Sequence, residues 1–415
     1  MNNGSMIYIV RGLMLAAFIF CPKYAYSQSG EETAQALIEL GFENVRWTED
    51  DSERVYVIEN NVFKSSGVGV GKAIDQIQQT GLPTDGTKAC CLIVLVNNVP
   101  RVALRLPAKA ASAPTVSRAD WQISNNLGDS WEKVKHVKSG NSSLFKPDIV
   151  LIPEFWWRNY RISVMYEVYL AFSPSLEISL WPGMKLGYQV VFPIINQYSQ
   201  QYDKIRPGFV TLSQTFRLPA RTFVTATVGT FSNERWGFDV RAKHFLPYER
   251  LSVEGRFGYT SNGRYDGWAY KAGTKYWTWT GTLAAEYFWQ PYNTTIKVSG
   301  NRYLYGEYGI RGDMMRHYRY ASIGFYAMLI NDPGFSIKPA NNGFNGGFTL
   351  QIAIPPYRSK RKGYIPHVKG GDFTTRYNAG NEWYYGRNYN ARADDNYRNN
   401  IDYNPYFLKS ELLNY

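Results

Sequence analysis

From about residue 148 to residue 356, apolar and polar side chains alternate along the chain with a period of two. In the segment 235–243, for example, Phe238 falls on one face while Asp239 and Arg241 fall on the other. The same alternation recurs in the segments 184–192, 210–218, 251–259, 277–289 and 321–329. A period of two is typical of β-strands with one apolar and one polar face. The pattern predicts roughly ten to thirteen strands in this part of the chain.

Two architectures would use such strands. A β-sandwich buries the apolar face against a second sheet, whereas a transmembrane β-barrel turns it toward lipid and keeps the polar face around a lumen. The segments are long, as tilted membrane strands must be. Aromatic residues lie near their ends, as in the girdles of barrels: Phe155, Trp156, Trp157, Trp181, Trp236, Tyr248, Trp268 and Trp289. We therefore predict a mainly β protein in which residues 148–356 form an antiparallel transmembrane β-barrel of about 12 strands, an even number.

The connections between the predicted strands support the barrel over the sandwich. Four tight turns contain proline, at 181–183, 218–221, 246–249 and 290–293. The connections at 195–206 and 261–266 are longer, and if 267–289 is one strand, all four proline turns lie at the same end. Short turns at one end and longer loops at the other are typical of outer-membrane barrels. The segment 346–354, which begins with two glycines, is predicted to be the closing strand.

Residues 1–27 are predicted to be a secretory signal peptide. Arg11 precedes an apolar run, Leu13–Phe20, and Ala25-Tyr26-Ser27 gives the small-x-small ending that precedes a cleavage site. The alternative of a membrane-anchoring helix is disfavoured because the apolar run is too short to span a bilayer.

Residues 29–106 are predicted to form a small α/β module in the order α-β-β-α-β-β. Ser29 and Glu32 fit a capping box at the start of the first helix. A second helical face begins near Val70 and ends near Gly81, and Asn97-Asn98 indicates a hairpin between two apolar runs. Cys90 and Cys91 open one of these runs and are expected to be buried rather than bridged.

The flanking segments carry no sustained period. Residues 107–147 are polar and are predicted to be a linker. Residues 357–415 are rich in Tyr, Asn and Arg and are predicted to be a C-terminal tail, either solvated or packed on the mouth of the barrel.

Charges of both signs occupy the polar faces that would surround the lumen. These predicted lumen-lining residues are Glu167, Lys185, Arg217, Asp239, Arg241, Glu254, Arg256 and Glu286. Pairs of the carboxylates could serve glycoside hydrolysis, but neighbouring cations are their more frequent partners.

Composition and motifs limit the chemistry. The net charge of +12 suits an anionic partner such as nucleic acid, lipopolysaccharide or an acidic glycan, and the secretory signal argues against nucleic acid. The segment Gly67–Lys72 resembles a phosphate loop, but its spacing is wrong and Ala73 stands where Ser or Thr is needed. The four histidines are far apart and no Gly-x-Ser-x-Gly motif is present. We therefore expect no enzyme activity, no metal and no cofactor.

Several motifs resemble the YjbH-like (GfcD-like) exopolysaccharide and capsule biogenesis family. Leu40–Val45 with Val57–Asn60 resembles the small periplasmic module of that family, and Leu180–Leu186 resembles its hairpin into the barrel. Arg319–Phe325 with Gly347–Pro356 resembles its last barrel strands. The resemblance implies an outer-membrane barrel with a periplasmic α/β module, acting in polysaccharide secretion. The present chain has room for one barrel, whereas the larger members carry two.

Together these observations predict an outer-membrane barrel that takes part in exopolysaccharide or capsule export, with a polymer or accessory factor passing a polar lumen. The expected location is the outer membrane of a Gram-negative-type bacterium, with the module in the periplasm. Expected partners are the polysaccharide, membrane lipid and export proteins that dock on the module. The alternatives are a secreted carbohydrate-binding or hydrolytic β-sandwich and a general diffusion porin. For the module itself, the alternative to docking is a plug that packs on the barrel mouth.

Overall fold

The computed structural model describes residues 30–83, 86–158, 166–331, 344–378 and 386–415. The predicted signal peptide lies outside the described residues. An N-terminal α/β module precedes a closed β-barrel, and the chain then returns through the barrel to the module. None of the helices in the described ranges is both long enough and apolar enough to cross a membrane.

The module is a five-stranded sheet in the order β1-β2-β3-β4-β5. Strands β2 and β3 are parallel, joined by the crossover helix α2, and the other neighbouring pairs are antiparallel. The hairpin at Asn97 and Asn98 is confirmed, since both residues have positive φ as a two-residue turn requires. The elements are α1 (Gly30–Leu40), β1 (Glu43–Glu49), β2 (Glu53–Glu59), α2 (Ser66–Thr80), β3 (Ala89–Val96), β4 (Val99–Leu106), α3 (Ala108–Ala111), β5 (Gln122–Ser124) and α4 (Ser130–Val134).

The prediction that residues 107–147 form a linker is wrong, because part of this segment completes the module. Strand β5 adds the fifth strand, and α4 with the residues around it covers the second face of the sheet. Strand β3 is buried on both faces, with Leu92 against the helices and Cys91 against the α4 side. A strand that is apolar on both faces needs cover on both, and residues 127–137 supply the second layer. Cys90 and Cys91 are free and buried, as expected.

The barrel closes around thirteen strand positions. Three positions are strands interrupted by a short break, namely β6 with β7, β8 with β9, and β21 with β22. Strand β15 only extends a hairpin with β14 beyond the rim. The bounds are β6 (Pro147–Leu151), β7 (Pro153–Arg158), β8 (Glu167–Phe172), β9 (Ser175–Trp181), β10 (Met184–Asn196), β11 (Arg206–Leu218), β12 (Thr222–Phe231), β13 (Arg235–Phe245), β14 (Leu251–Asp266), β15 (Ala269–Ala272), β16 (Thr278–Trp289), β17 (Thr294–Arg302), β18 (Tyr308–His317), β19 (Ala321–Asn331), β20 (Phe344–Ala353), β21 (His367–Gly370) and β22 (Asp372–Asn378).

The odd number corrects the expectation of an even barrel that closes at 346–354. Strand β20 is followed by one more position, β21 with β22, which lies within the predicted tail 357–415. Because the first and last positions of an odd barrel point the same way, they pair in parallel, with His367 opposite Asp148 and Thr374 opposite Glu154. All other pairs in the barrel are antiparallel.

The alternation of side chains follows the predicted faces. On β13 and β16, Phe238 and Leu283 point outward, and Leu283 is 67% exposed. On the inner face, Asp239 and Glu254 are buried. The closed barrel confirms the mainly β fold class with its small α/β module and contradicts the sandwich alternative, because the outward apolar side chains are not covered by a second sheet of described residues.

All four proline turns lie at the end of the barrel that faces the module, which confirms their predicted placement on one side. Gly183 donates a backbone hydrogen bond to Asn97 of the module at 2.8 Å. Glu249, in another of these turns, accepts hydrogen bonds from Ser124 and from the backbone of Asn125. We refer to this end of the barrel as the module end and to the opposite one as the far end.

The C-terminal residues run back through the barrel, so the predicted tail 357–415 is not a separate unit. After β20 the chain contacts the module, where Arg361 pairs with Glu43, and it then forms β21 and β22. From the far end, residues 386–396 enter the lumen and lead into α5 (Tyr397–Ile401) and α6 (Pro405–Asn414). Leu408 and Leu412 of α6 belong to the core of the module.

Candidate functional site

The lumen of the barrel is the candidate functional site, and the chain itself occupies part of it. We call residues 386–401 the plug segment and α6 the latch helix. The inner wall of the barrel offers polar and charged side chains, whereas the plug segment, which is irregular except for α5, brings its own charges. The contacts between the two determine what can pass.

Two aspartates of the plug segment pair with predicted lumen cations. Asp395 accepts two hydrogen bonds from Arg241, at 3.0 and 3.1 Å. Asp394 accepts one from Lys185 at 2.9 Å, and Lys185 also donates to Glu177 on the wall. Both side chains of the Arg241–Asp395 pair are largely buried, so water and salt screen their attraction little. These are buried, charge-assisted contacts, and they fix the plug segment to the wall.

Tyr389 packs against the wall on the far-end side of these aspartates. Its ring stacks on Phe231, with centroids 5.2 Å apart, and its hydroxyl donates to Asp239 at 2.8 Å. Arg256 joins the same group, since it donates to Asp239 at 2.8 Å and to the carbonyl of Tyr389 at 3.0 Å. The hydroxyl fits because residue 258 is glycine: a Cβ there would lie 1.7 Å from the Tyr389 oxygen.

The structure brings most of the predicted lumen residues into one network. Lys185, Asp239, Arg241 and Arg256 contact the plug segment directly. Of the other four, Glu254 and Glu286 pair with cations of the wall, and Arg217 contacts the module.

Glu254 and Glu286 pair across the wall with Lys297 at 3.0 Å and Lys243 at 2.7 Å. Their partners are lumen cations. This agrees with the prediction that these carboxylates pair with neighbouring cations rather than with each other for glycoside hydrolysis. Glu167 lies on β8 two residues before the buried Tyr169. Residues two apart on a strand share a face, so Glu167 is on the inner face.

Arg217 lies at the module end and serves to attach the module. Its guanidinium donates to the backbone carbonyls of Pro100 and Arg101 at 3.0 and 3.2 Å. This residue therefore joins the barrel to the module rather than lining the open part of the lumen.

Three residues of the site are not among the predicted lumen residues: Tyr389, Asp394 and Asp395. The available signal was the adjacent pair Asp394-Asp395 within a segment otherwise rich in Arg, Asn and Tyr. An acidic pair downstream of a barrel whose inner face carries Lys185, Arg241 and Arg256 predicts a contact with these cations.

A cavity of about 1480 Å³ remains between the plug segment and the wall. Toward the far end its lining includes Trp156, Tyr202 and Arg206. Deeper in the barrel the lining consists of paired charges such as Glu254 and Lys297. The lumen thus combines a charge-paired interior with an aromatic and cationic far end.

The latch helix explains the first glycine of the glycine-rich segment Gly67–Lys72. Glu411 accepts hydrogen bonds from the backbone of Gly67 and from Ser65, both at 3.2 Å, at the start of α2. A Cβ at position 67 would lie 2.3 Å from the Cβ of Glu411, so only glycine allows this approach. The segment therefore receives a carboxylate of the same chain in the place where a phosphate loop would hold a phosphate.

Glu411 is buried between the latch helix and the module, where it also contacts Arg398. Burial raises the pKa of Glu411 from 4.5 to about 7, against the opposing charge of Arg398. The protonation of this one side chain is therefore expected to contribute to the attachment of the latch helix, beside the packing of Leu408 and Leu412.

Within the described ranges, no group of three or more His, Cys, Asp or Glu side chains is placed to hold a metal ion. His317 lies between Ser322 and Thr295, with hydrogen bonds of 2.8 and 2.9 Å.

The fold and the lumen together define a class of protein: a closed β-barrel with an internal C-terminal plug and a capping α/β module. Comparison of the chain with protein-family models, with curated proteins and with solved structures finds no match.

Proposed function

We propose that the protein is an outer-membrane β-barrel that takes part in exopolysaccharide or capsule export, with a lumen gated by its own C-terminal segment. The observation that carries the membrane assignment is the outward belt of apolar side chains on a closed barrel. Exposed aromatic and aliphatic residues such as Phe238, Leu283 and Phe325 face outward on strands whose inner faces are polar. In water this belt would be a liability, whereas in a bilayer it contacts lipid.

The orientation follows from the two ends of the barrel. The proline turns and the module share one end, and barrels of the outer membrane keep their short turns in the periplasm. The module is therefore assigned to the periplasm and the far end to the cell exterior. There the module would contact export proteins, although its helical face already receives the latch helix.

The polysaccharide assignment is supported by the resemblance of the motifs described above and by the chemistry of the lumen. A polymer passes a pore only if the wall offers many weak polar contacts rather than one tight site. The paired charges of Glu254, Lys297, Glu286 and Lys243 provide such a wall. Because the plug segment occupies the lumen, passage requires its displacement, and without displacement the protein acts as an accessory factor.

Location is tested first, by fractionation of cells and by electrophoresis with and without heating. We expect the protein in the outer-membrane fraction, with heat-modifiable migration. Val240→Arg places a charge on the outward face and should reduce assembly, at a cost of about 2–4 kcal/mol near the bilayer midplane. Val240→Leu is the matched control. Recovery of the wild-type chain as soluble material would refute the membrane assignment.

The polymer is tested by deleting the gene and measuring surface polysaccharide. We expect a loss of surface polymer that the wild-type gene restores and that a gene for the unassembled Val240→Arg protein does not. An unchanged amount of surface polymer would refute the proposed process, whatever the location of the protein.

The diffusion porin is the remaining alternative, and the plug segment argues against it. In liposomes, an open porin admits small sugars at once, whereas the plugged barrel should admit them slowly. Rapid liposome swelling with the wild-type protein would favour the porin.

A further inference from the structure

The far end of the lumen carries an aromatic wall that the proposed function does not by itself require. Trp156 stacks on Tyr169 with ring centroids 4.6 Å apart, and Tyr202 contacts Trp156 edge-on at 6.2 Å. Tyr169 is fully buried, but Trp156 remains 42% exposed and lines the cavity. An exposed, rigidly backed indole ring is a surface on which the apolar face of a sugar ring can stack.

Arg206 lies against the same wall. Its guanidinium lies 4.9 Å from the centroid of the Tyr202 ring and donates to the Tyr169 hydroxyl at 3.3 Å. Its Nη1 is buried and makes no hydrogen bond within the described part of the chain. A buried donor without an acceptor costs free energy, and a ligand carboxylate would supply that acceptor.

The charges around the aromatic wall are unbalanced. Among the described residues, the far-end lining of the cavity carries the cations Arg206, Arg235, Arg264, Lys275 and Arg387, against the carboxylates Glu154 and Glu234. Deeper in the lumen, cations are matched by wall or plug carboxylates, as in Arg241 with Asp395. The surplus of positive charge therefore lies at the entrance, where it attracts anions.

We propose that this far-end site binds an acidic saccharide segment, with a sugar ring on Trp156 and its carboxylate at Arg206. A planar carboxylate matches the fork of a guanidinium, and the cavity of about 1480 Å³ has room for several sugar units. The proposal rests on the proposed function for the origin of the saccharide, and it adds that the polymer is anionic.

The test measures binding of two defined probes to the purified full chain in detergent micelles by calorimetry. The probes are hexagalacturonate, which is acidic, and maltohexaose, which is neutral. We expect hexagalacturonate to bind at least about tenfold more tightly, with an affinity that falls as salt is added. Arg206→Gln should remove most of this preference, and Trp156→Leu should weaken the binding of both probes about tenfold.

Matched controls lie at the far end but outside the cavity lining. Lys204→Gln removes a cation that pairs with Asp266, and Trp268→Leu removes an exposed indole. Neither should change the affinity for hexagalacturonate. Heat-modifiable migration of each variant confirms that it is folded.

The outcomes test separately whether the site exists and whether its ligand is acidic. Equal affinity for the two probes would overturn the acidic class, and no binding of either probe would overturn the site. Equal competition by inorganic phosphate would indicate a general anion site and would also overturn it. The surface polymer measured after gene deletion tests the proposed function separately, because it does not depend on these affinities.

Discussion

Gly258 is the residue at which the barrel wall admits the plug segment. Any side chain at this position would collide with the hydroxyl of Tyr389, which bonds to Asp239. Glycine in a strand often marks such a close approach rather than a bend. The identity of one wall residue thus determines whether the lumen can hold its plug.

We expect Gly258→Ala to loosen the plug segment without opening the barrel. Overpacking of this kind costs about 1–3 kcal/mol, and the strain falls on the contact with Tyr389. Trypsin should then cleave after Arg387 and Arg392 several-fold faster, with the heat-modifiable band retained. Gly255→Ala is the control, because a Cβ there has nothing within 4 Å. Equal cleavage of the two variants would contradict the role of Gly258.

Arg241 is the cation that fixes the plug segment most directly, through two hydrogen bonds to Asp395. We expect Arg241→Glu to leave the barrel assembled and to raise its single-channel conductance. Breaking a buried pair costs about 3–5 kcal/mol because one charge is left uncompensated, and here the two carboxylates would in addition repel each other.

The double variant Arg241→Glu with Asp395→Arg reverses the pair and provides the control. It should restore the low conductance of the wild-type protein in planar bilayers. If the single variant conducts no more than the wild type, the plug segment is held by other contacts.

The latch helix is the element at which we expect pH to act on the plug segment. The pKa of Glu411 is raised in the docked state, so docking favours the protonated form. The stabilisation is complete below about pH 4.5, the ordinary value for the free side chain, and is lost as the pH rises through about 7. Docking should therefore be tighter at pH 5 than at pH 8.

Hydrogen exchange of the amides in Pro405–Asn414 measures this change once intrinsic rates are subtracted. Glu411→Gln, which carries no charge, should show slow exchange at both pH values. A wild-type latch helix with equal protection at pH 5 and pH 8 would contradict the role of Glu411.

The strands that show a regular alternation of apolar and polar residues could be predicted from the sequence. The period of two identified the strands of the barrel because each has one covered and one outward face. Strands β21 and β22 were missed because Gly370 and Gly371 interrupt them, and the even count then followed from bacterial precedent rather than from the residues. Strand β5, three residues long, is too short to show a period.

Of the candidate site, the sequence predicts the residues of the barrel wall but not those of the plug segment. Alternation placed Lys185, Asp239, Arg241 and Arg256 on the inner face, where they lie. The plug segment has no period, since its conformation depends on side chains more than a hundred residues away, such as Asp239 for Tyr389. No local pattern encodes contacts of that kind.

At the scale of the whole molecule, the module and the barrel form two separate sheets, each with its own strand pairing. The seam that closes the barrel is the parallel pairing of β21 with β6, which lies within the barrel itself. We expect deletion of residues 30–143 to leave a heat-modifiable barrel, with a higher conductance because the latch helix loses its seat. Loss of the assembled band would instead show that the module is needed to close the barrel.

The attachment of the latch helix to the module has a mechanical consequence. The plug segment is held at one end by the last strand of the barrel and at the other by α6, so it is a tether with two fixed ends. A force that draws the module away from the rim also pulls along this tether, and part of the load falls on Asp395 and Tyr389. A pull applied on one side of the membrane would thus be transmitted as tension to the contents of the pore.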